Sequence, residues 1–318
     1  MSAHEALISF CAVASFRILH AQRALMFFLR LISRLPLGIL YLFSDVLFIL
    51  GYYIIPYRKK LVRRNLLNSF PDKSPDAIKQ IERKFYRNLC DYAVETLKLL
   101  TIDKADLNKR VLFTNPEVIE PYRQKNLPII GLASHQFNWE WLLVAGNFHF
   151  TLDYVYQPIN NSLTDKLLRE IRSRFGGYGI KRNELGREMV KRRNLWRMIA
   201  IVSDQYPGQK KDKKYITRFL HQETAFFQAP DQIASLTQYP VVFAAIRKVK
   251  RGYYEATFVP LTEPPYIKDQ ENVIERYVEE AEKVIRENPE GWLWSHKRWK
   301  KRHLKQASAK YPPASAAS

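Results

Sequence analysis

Beyond residue 128 the chain alternates short apolar runs with helical periodicity, and this alternation limits the fold more than any other feature. The runs LPIIGLA (127–133), LDYVYQ (152–157), WRMIAIVSD (196–204), YPVVFAAI (239–246) and YYEATFVPL (253–261) have strand length. Helical patterns near 139–148, 162–175, 185–195, 229–238 and 271–287 fall among them. Strands interleaved with helices pack as a sheet with helices laid on its faces. The expected fold class is therefore α/β, a mixed central sheet with helices on both faces. Upstream, Ser74 followed by Pro75 reads as an N-cap with proline at the first helical position. A helix is expected from there to about Leu100, with Ile78, Ile81, Phe85, Leu89, Ala93 and Leu97 at helical spacing.

Residues 35–55, LPLGILYLFSDVLFILGYYII, form a run of the length that crosses a hydrocarbon layer of roughly 30 Å as a helix. Ser44 and Asp45 interrupt it, and an Asp at the bilayer centre costs about 2.5–3.5 kcal/mol on insertion scales. Arg17, Arg23, Arg30 and Arg34 precede the run, Arg58, Lys59, Lys60, Arg63 and Arg64 follow it, and Tyr52, Tyr53 and Tyr57 mark its edge. Basic charge on both flanks fits a helix lying in the cytoplasmic leaflet, or a span anchored by the Arg58–Arg64 cluster; a buried core helix is the competing reading. The expected organisation is an N-terminal membrane-associated helical segment over 1–68, an α/β domain over 69–302 and a disordered tail over 303–318.

Net charge is +20, and it is not evenly spread. Residues 1–70 carry nine basic against two acidic side chains, 181–214 eleven against four, and 296–318 seven against none. Such faces suit phosphates on nucleic acid or lipid headgroups, or an acidic carrier protein. With 47% hydrophobic residues the chain has material for a core, which excludes a disordered basic protein. Cys11 and Cys90 have neither disulfide nor metal spacing, in keeping with a reducing compartment. The first residues have no basic segment before the apolar run, so a cleaved signal peptide is not expected.

Open α/β sheets bind ligands beyond the C-terminal ends of strands. After the first run comes Ser134-His135-Gln136-Phe137-Asn138-Trp139-Glu140. This places His135 at the strand's mouth, Asn138 as N-cap of the next helix, and Glu140 in its first turn, able to fold back toward the imidazole. A histidine held by a carboxylate is a general base suited to a hydroxyl attacking an acyl carbonyl. The alternative is a strand-end histidine with a solvated first-turn acid. Asp204 ends the third run at the same sheet edge, or else is an ordinary turn residue. Phosphate-loop, dinucleotide, nucleophile-elbow and H-E-x-x-H motifs are missing, and no metal site is expected.

Six segments in order resemble the lipid A biosynthesis lauroyl/myristoyl acyltransferases, a branch of the lysophospholipid acyltransferase superfamily: RRNLLNSFPDKS (63–74), HQFNWE (135–140), VYQPINNSLTDKLLREIRSRFG (155–176), VSDQYPG (202–208), FLHQETAF (219–226) and PEGWLWSHKRWK (289–300). The resemblance spans about residues 35–302. It implies a glycerolipid acyltransferase-like fold and transfer of a fatty acyl chain from an acyl carrier protein thioester to a hydroxyl of a lipid A precursor, at the cytoplasmic face of the inner membrane. It makes His135 the base and Glu140 its orienting partner. It puts Asn138, Gln157, Asn161, Arg172, Arg174, Asp204, Gln205 and Arg298 on the substrate side. The implied partners are the acyl carrier protein, an anionic glycolipid and the inner membrane, with no cofactor and no nucleic acid.

Two departures bear on the substrate. The family's Y-R-P arginine is Gln157 here, so the positive group beside the reacting centre is expected from Arg172 or Arg174. Family glycines are replaced by Gln136 or Phe137 and by His221. An acyltransferase acting on another glycolipid, a lysophospholipid or an aminolipid is the second reading. A basic nucleic-acid-binding or adaptor protein, with WSHKRWKKRHLK (294–305) as a stacking surface, is the third.

Overall fold

In the computed structural model, residues 22–300 are described except 210, 211, 268, 269 and 271. The tail expected over 303–318, the first 21 residues and Cys11 lie outside the described residues. Helical residues 22–33 (α1) lead into α2 (Leu37–Ile49), which continues as a π turn over Leu50–Ile54, then α3 (Lys59–Ser69), α4 (Pro75–Lys98) and α5 (Lys104–Arg110). The α/β part follows as β1 (Val111–Phe113), α6 (Glu120–Gln124), β2 (Ile129–Ala133), α7 (Trp139–Gly146), β3 (Leu152–Tyr156), α8 (Ser162–Ser173), β4 (Tyr178–Lys181), α9 (Leu185–Lys191) and β5 (Met198–Val202). A hairpin of β6 (Lys214–Phe219) and β7 (Gln222–Phe227), then α10 (Ala229–Thr237), β8 (Val241–Lys250), β9 (Tyr253–Thr262) and α11 (Val273–Glu287) complete it.

Seven strands form one sheet in the order β1-β9-β8-β2-β5-β3-β4. All neighbours run parallel except β8 and β9, so the sheet is mostly parallel with one antiparallel pair, the mixed sheet expected from the alternation. Successive side chains of a strand point to opposite faces. Ile130 and Leu132 of β2 accordingly join a core with Tyr277 and Ala281 of α11, whereas Gly131 and Ala133 face a cavity walled by Leu142 and Leu143 of α7. Helices thus cover both faces, and β2 and β5 sit at the centre.

Four strands escape the apolar-run pattern. β1 and β4 are only 3 and 4 residues long and lie at the two edges of the sheet, where one side needs no apolar continuity. The β6–β7 hairpin is a separate two-stranded unit, turned at Leu220 and His221, both with positive φ (48° and 63°). The N-cap at Ser74 forms as expected, its hydroxyl accepting from Ala77 N at 3.2 Å.

Candidate active site

The parallel register of β2 against β5 pairs Ala133 with Val202. His135 and Asp204 each lie two residues beyond that last pair, so the two segments leave the sheet side by side and the side chains meet. The Asp204 carboxylate takes the His135 backbone N–H at 2.9 Å and faces the ring Nδ1 at 2.5 Å. It also accepts from Trp292 Nε1 at 2.7 Å. Burial opposes the charge on Asp204, but the facing imidazole and these donors outweigh it and hold the carboxyl down at about 2. The network assigns the ring proton to Nδ1. Nε2 then presents its lone pair, with the Gln205 side-chain amide nitrogen 3.2 Å away, where a substrate hydroxyl would compete for it. The Trp139 ring stands edge-on to the imidazole, with centroids 5.0 Å apart.

The carboxylate on His135 is therefore Asp204 and not Glu140. The helix geometry explains the correction. Glu140 is in the first turn of α7, and the guanidinium of Arg172 on α8 grips it through Nε at 2.8 Å and Nη2 at 2.5 Å, with Trp139 Nε1 a third donor at 3.2 Å. Burial alone would weaken the Arg172 charge, but Glu140 more than compensates and raises its pKa. A forked guanidinium–carboxylate pair outcompetes a neutral imidazole for the carboxylate.

Asn138 caps α7, accepting from Trp141 N at 2.9 Å, as its place in the sequence suggested. Its amide nitrogen also donates to Glu95 Oε2 at 2.7 Å, and the side chain is fully buried beneath the loop instead of facing the cavity. Glu95, on α4, is a hub that motif reading missed. It further accepts from Tyr41 and Tyr254, each at 2.7 Å, and its backbone carbonyl takes Trp141 Nε1 at 2.7 Å. Burial raises the Glu95 carboxyl pKa, and these three side-chain donors only partly offset that. Its signal in the sequence was a charged residue on the apolar side of a helix.

The remaining expected residues separate. Gln157, Arg172 and Gln205 line the cavity. Asn161 caps α8 through Thr164 N at 3.0 Å. Arg174 donates to the carbonyls of Leu99 and Ile102 at 2.7 and 2.6 Å, and so ties α8 to the end of α4 instead of serving the reacting centre. Arg298 is fully buried; it donates to Thr224 and Ala225 at 2.7 Å and lies 4.1 Å from the Phe226 ring centroid. It clamps the β6–β7 hairpin onto the C-terminal segment, and burial lowers its pKa to about 10. In the 181–214 block, Arg192 and Arg197 are tied up by Asp153, and Arg182 pairs with Asp212. Lys181, at the end of β4, and Arg187, two residues beyond the cavity-lining Leu185, are exposed beside the rim, whereas Lys191 and Arg193 are exposed at the far end of α9.

The cavity measures about 710 Å³, a size that holds one small ligand or chain. It runs from His135 down between α7 and the sheet to Phe113, Phe150, Leu152, Met198, Ala244 and Phe258. Gly131 belongs to its wall, where a Cβ would come within 2.8 Å of Met198 Sδ. No group of metal-ligating side chains occurs among the described residues.

Residues 14–301 match the family model for bacterial lipid A biosynthesis acyltransferases. The chain belongs to this family. Membership makes it an enzyme that transfers acyl groups, with a glycolipid as the implied substrate. No curated protein matched the chain in sequence. The two departures from the family's glycines acquire a structural meaning here. Phe137 and His221 both have positive φ, 44° and 63°, the backbone region that glycine enters without strain. Phe137 is held there by packing: it is 6% exposed, and its ring fills the space that a Cβ on Gly291 would need.

Proposed function

We propose that the protein is a membrane-bound O-acyltransferase that moves a fatty acyl chain from an acyl carrier protein thioester to a hydroxyl of a lipid A precursor. The observation that carries this reading is a histidine with a carboxylate on one nitrogen and a deep apolar cavity before the other. The cavity takes the acyl chain and brings the thioester carbonyl to the mouth. His135 Nε2 removes the proton of the acceptor hydroxyl as its oxygen attacks that carbonyl. Asp204 keeps the ring oriented and stabilises the imidazolium. The tetrahedral intermediate expels the carrier's thiolate, which takes the proton back from His135. The thioester arrives activated, so no acyl-enzyme is required. Arg172 and Gln205 supply the cationic and amide donors beside the reacting carbon.

Glu140 serves this reaction by fixing Arg172 in the wall. The exposed basic residues beside the rim, Lys181 and Arg187, suit an acidic carrier or the phosphates of the acceptor, at the cytoplasmic face of the inner membrane. Purified protein supplied with acyl carrier protein thioesters and a lipid A precursor should form a product heavier by one acyl group, read by mass spectrometry. Acylation of a lysophospholipid in preference to the glucosamine lipid would overturn the acceptor assignment.

A further inference from the structure

Residues 37–54 are long and apolar enough to cross a bilayer, with mean hydropathy 1.8. Their packing points elsewhere. One stripe, Leu37, Leu40, Ser44, Phe48 and Tyr52, is buried against α4 along its whole length and in antiparallel register. Tyr41 meets Glu95 at 2.7 Å and Ser44 meets Asp91 at 2.7 Å, Arg87 lies 4.9 Å over the Phe48 ring, and Tyr52 and Tyr86 have centroids 5.3 Å apart. Asp45, the residue that spoils a span, pairs with Arg251 in the β8–β9 turn at 2.8 Å. If this helix crossed the hydrocarbon, α4 would cross with it, carrying Arg83, Arg87, Asp91, Glu95 and Lys98. Each charge at the bilayer centre is penalised, and α4 is itself bonded to the catalytic loop.

The opposite stripe, Ile39, Leu42, Phe43, Val46, Ile49 and Leu50, repeats at the same helical spacing and is 40–66% exposed. Phe27, Phe28 and Leu31 of α1 extend it, and Ile54 and Ile55 continue it. Water-exposed apolar surface of this extent is a contact surface. Arg23, Arg34, Lys60 and Arg64 are exposed at its two ends, placed for anionic headgroups.

We infer that the helix over 37–54 does not span the membrane but lies flat in one leaflet, its outer stripe in lipid and its inner stripe zipped to α4. Helix α1 touches α8 through Arg30–Glu170 and Gln22–Ser162, so this lipid-facing surface adjoins the cavity rim near Ile159. The inference rests on the membrane-bound part of the function proposed above. Its test is independent of acyl transfer, which is assayed on the same variants.

The full chain, with Cys11 and Cys90 replaced by alanine, receives a single cysteine at Arg34→Cys or at Lys60→Cys, both exposed and bracketing the helix. Sealed membrane vesicles of known orientation are treated with a membrane-impermeant maleimide. The expected result is equal labelling of both sites from the same side without detergent. Labelling of one site, with the other reached only after detergent, would mean a span and overturn the inference. A Leu42→Cys variant carrying an environment-sensitive fluorophore, in vesicles of phosphatidylethanolamine and phosphatidylglycerol, should be quenched by bromine on the upper part of the lipid chains. A fluorophore shielded but not quenched, in a protein that runs as a dimer, would make a second copy the occupant and equally overturn it.

Discussion

At the mouth of the cavity, His135, Asp204, Glu140 and Arg172 are held by charge-assisted hydrogen bonds, whereas Phe113, Phe150, Leu152, Met198 and Phe258 close its far end with apolar contacts alone. The mouth is made from residues just past the C-terminal ends of β2 and β5; the floor draws Leu152 and Met198 from the first positions of β3 and β5. One sheet thus supplies chemistry at one end of its strands and shape at the other. The two ends respond to different changes. Directional polar groups fail when one partner is lost, while an apolar floor yields gradually with volume.

The mouth should give the largest effects. His135→Ala removes the base and should reduce acyl transfer by about a hundredfold or more, with protein level and chromatographic behaviour unchanged. Retention of wild-type turnover by that variant would remove His135 from the mechanism. Asp204 also links the site to acid stability. Its folded pKa, about 2, lies below its ordinary value of 3.8, so the stabilisation it provides is fully present above 3.8 and lost as pH falls toward 2. In thermal melts from pH 5 to pH 2, Asp204→Asn should narrow the gap between the two pH extremes.

The floor should give a selectivity change instead of a loss. Ala244→Phe adds a ring to the lumen and should move the preferred donor to a shorter acyl chain, with turnover on that shorter chain near the wild-type value. Competition between thioesters of several lengths, followed by mass spectrometry of the product, reads this directly. An unchanged length profile would show that the chain lies elsewhere. The smallest effect belongs to a site outside the cavity. His221→Gly relieves a left-handed residue in the exposed β6–β7 turn and should raise stability by at most about 1 kcal/mol in denaturant unfolding, with activity unaltered.

The sheet was legible because buried parallel strands must be apolar runs, and five runs stood out from their helical neighbours. The edge strands β1 and β4 and the β6–β7 hairpin were not, since short or half-exposed strands carry no such run. His135 and the cap at Asn138 could be read from local chain direction at the end of β2. The partner of His135 could not. Glu140 is close in sequence, while Asp204 is 69 residues away and becomes adjacent only through the β2–β5 register. Arg174 and Arg298 were expected near substrate from the family resemblance. Where a guanidinium donates depends on which carbonyls the fold leaves open, at Leu99 and Ile102 for one and Ala225 for the other. Asp45 looked like a flaw in an apolar helix until Arg251, more than 200 residues on, proved to be its partner.

The central claim is that Asp204, not Glu140, makes His135 a base. The most direct measurement is kcat for Asp204→Asn and Glu140→Gln, side by side, with the same carrier thioester and acceptor. Asp204→Asn should approach the loss seen for His135→Ala, and Glu140→Gln should lose about tenfold, the cost of a loosened Arg172. A Glu140→Gln variant as inactive as His135→Ala, beside an Asp204→Asn variant near wild type, would contradict the claim.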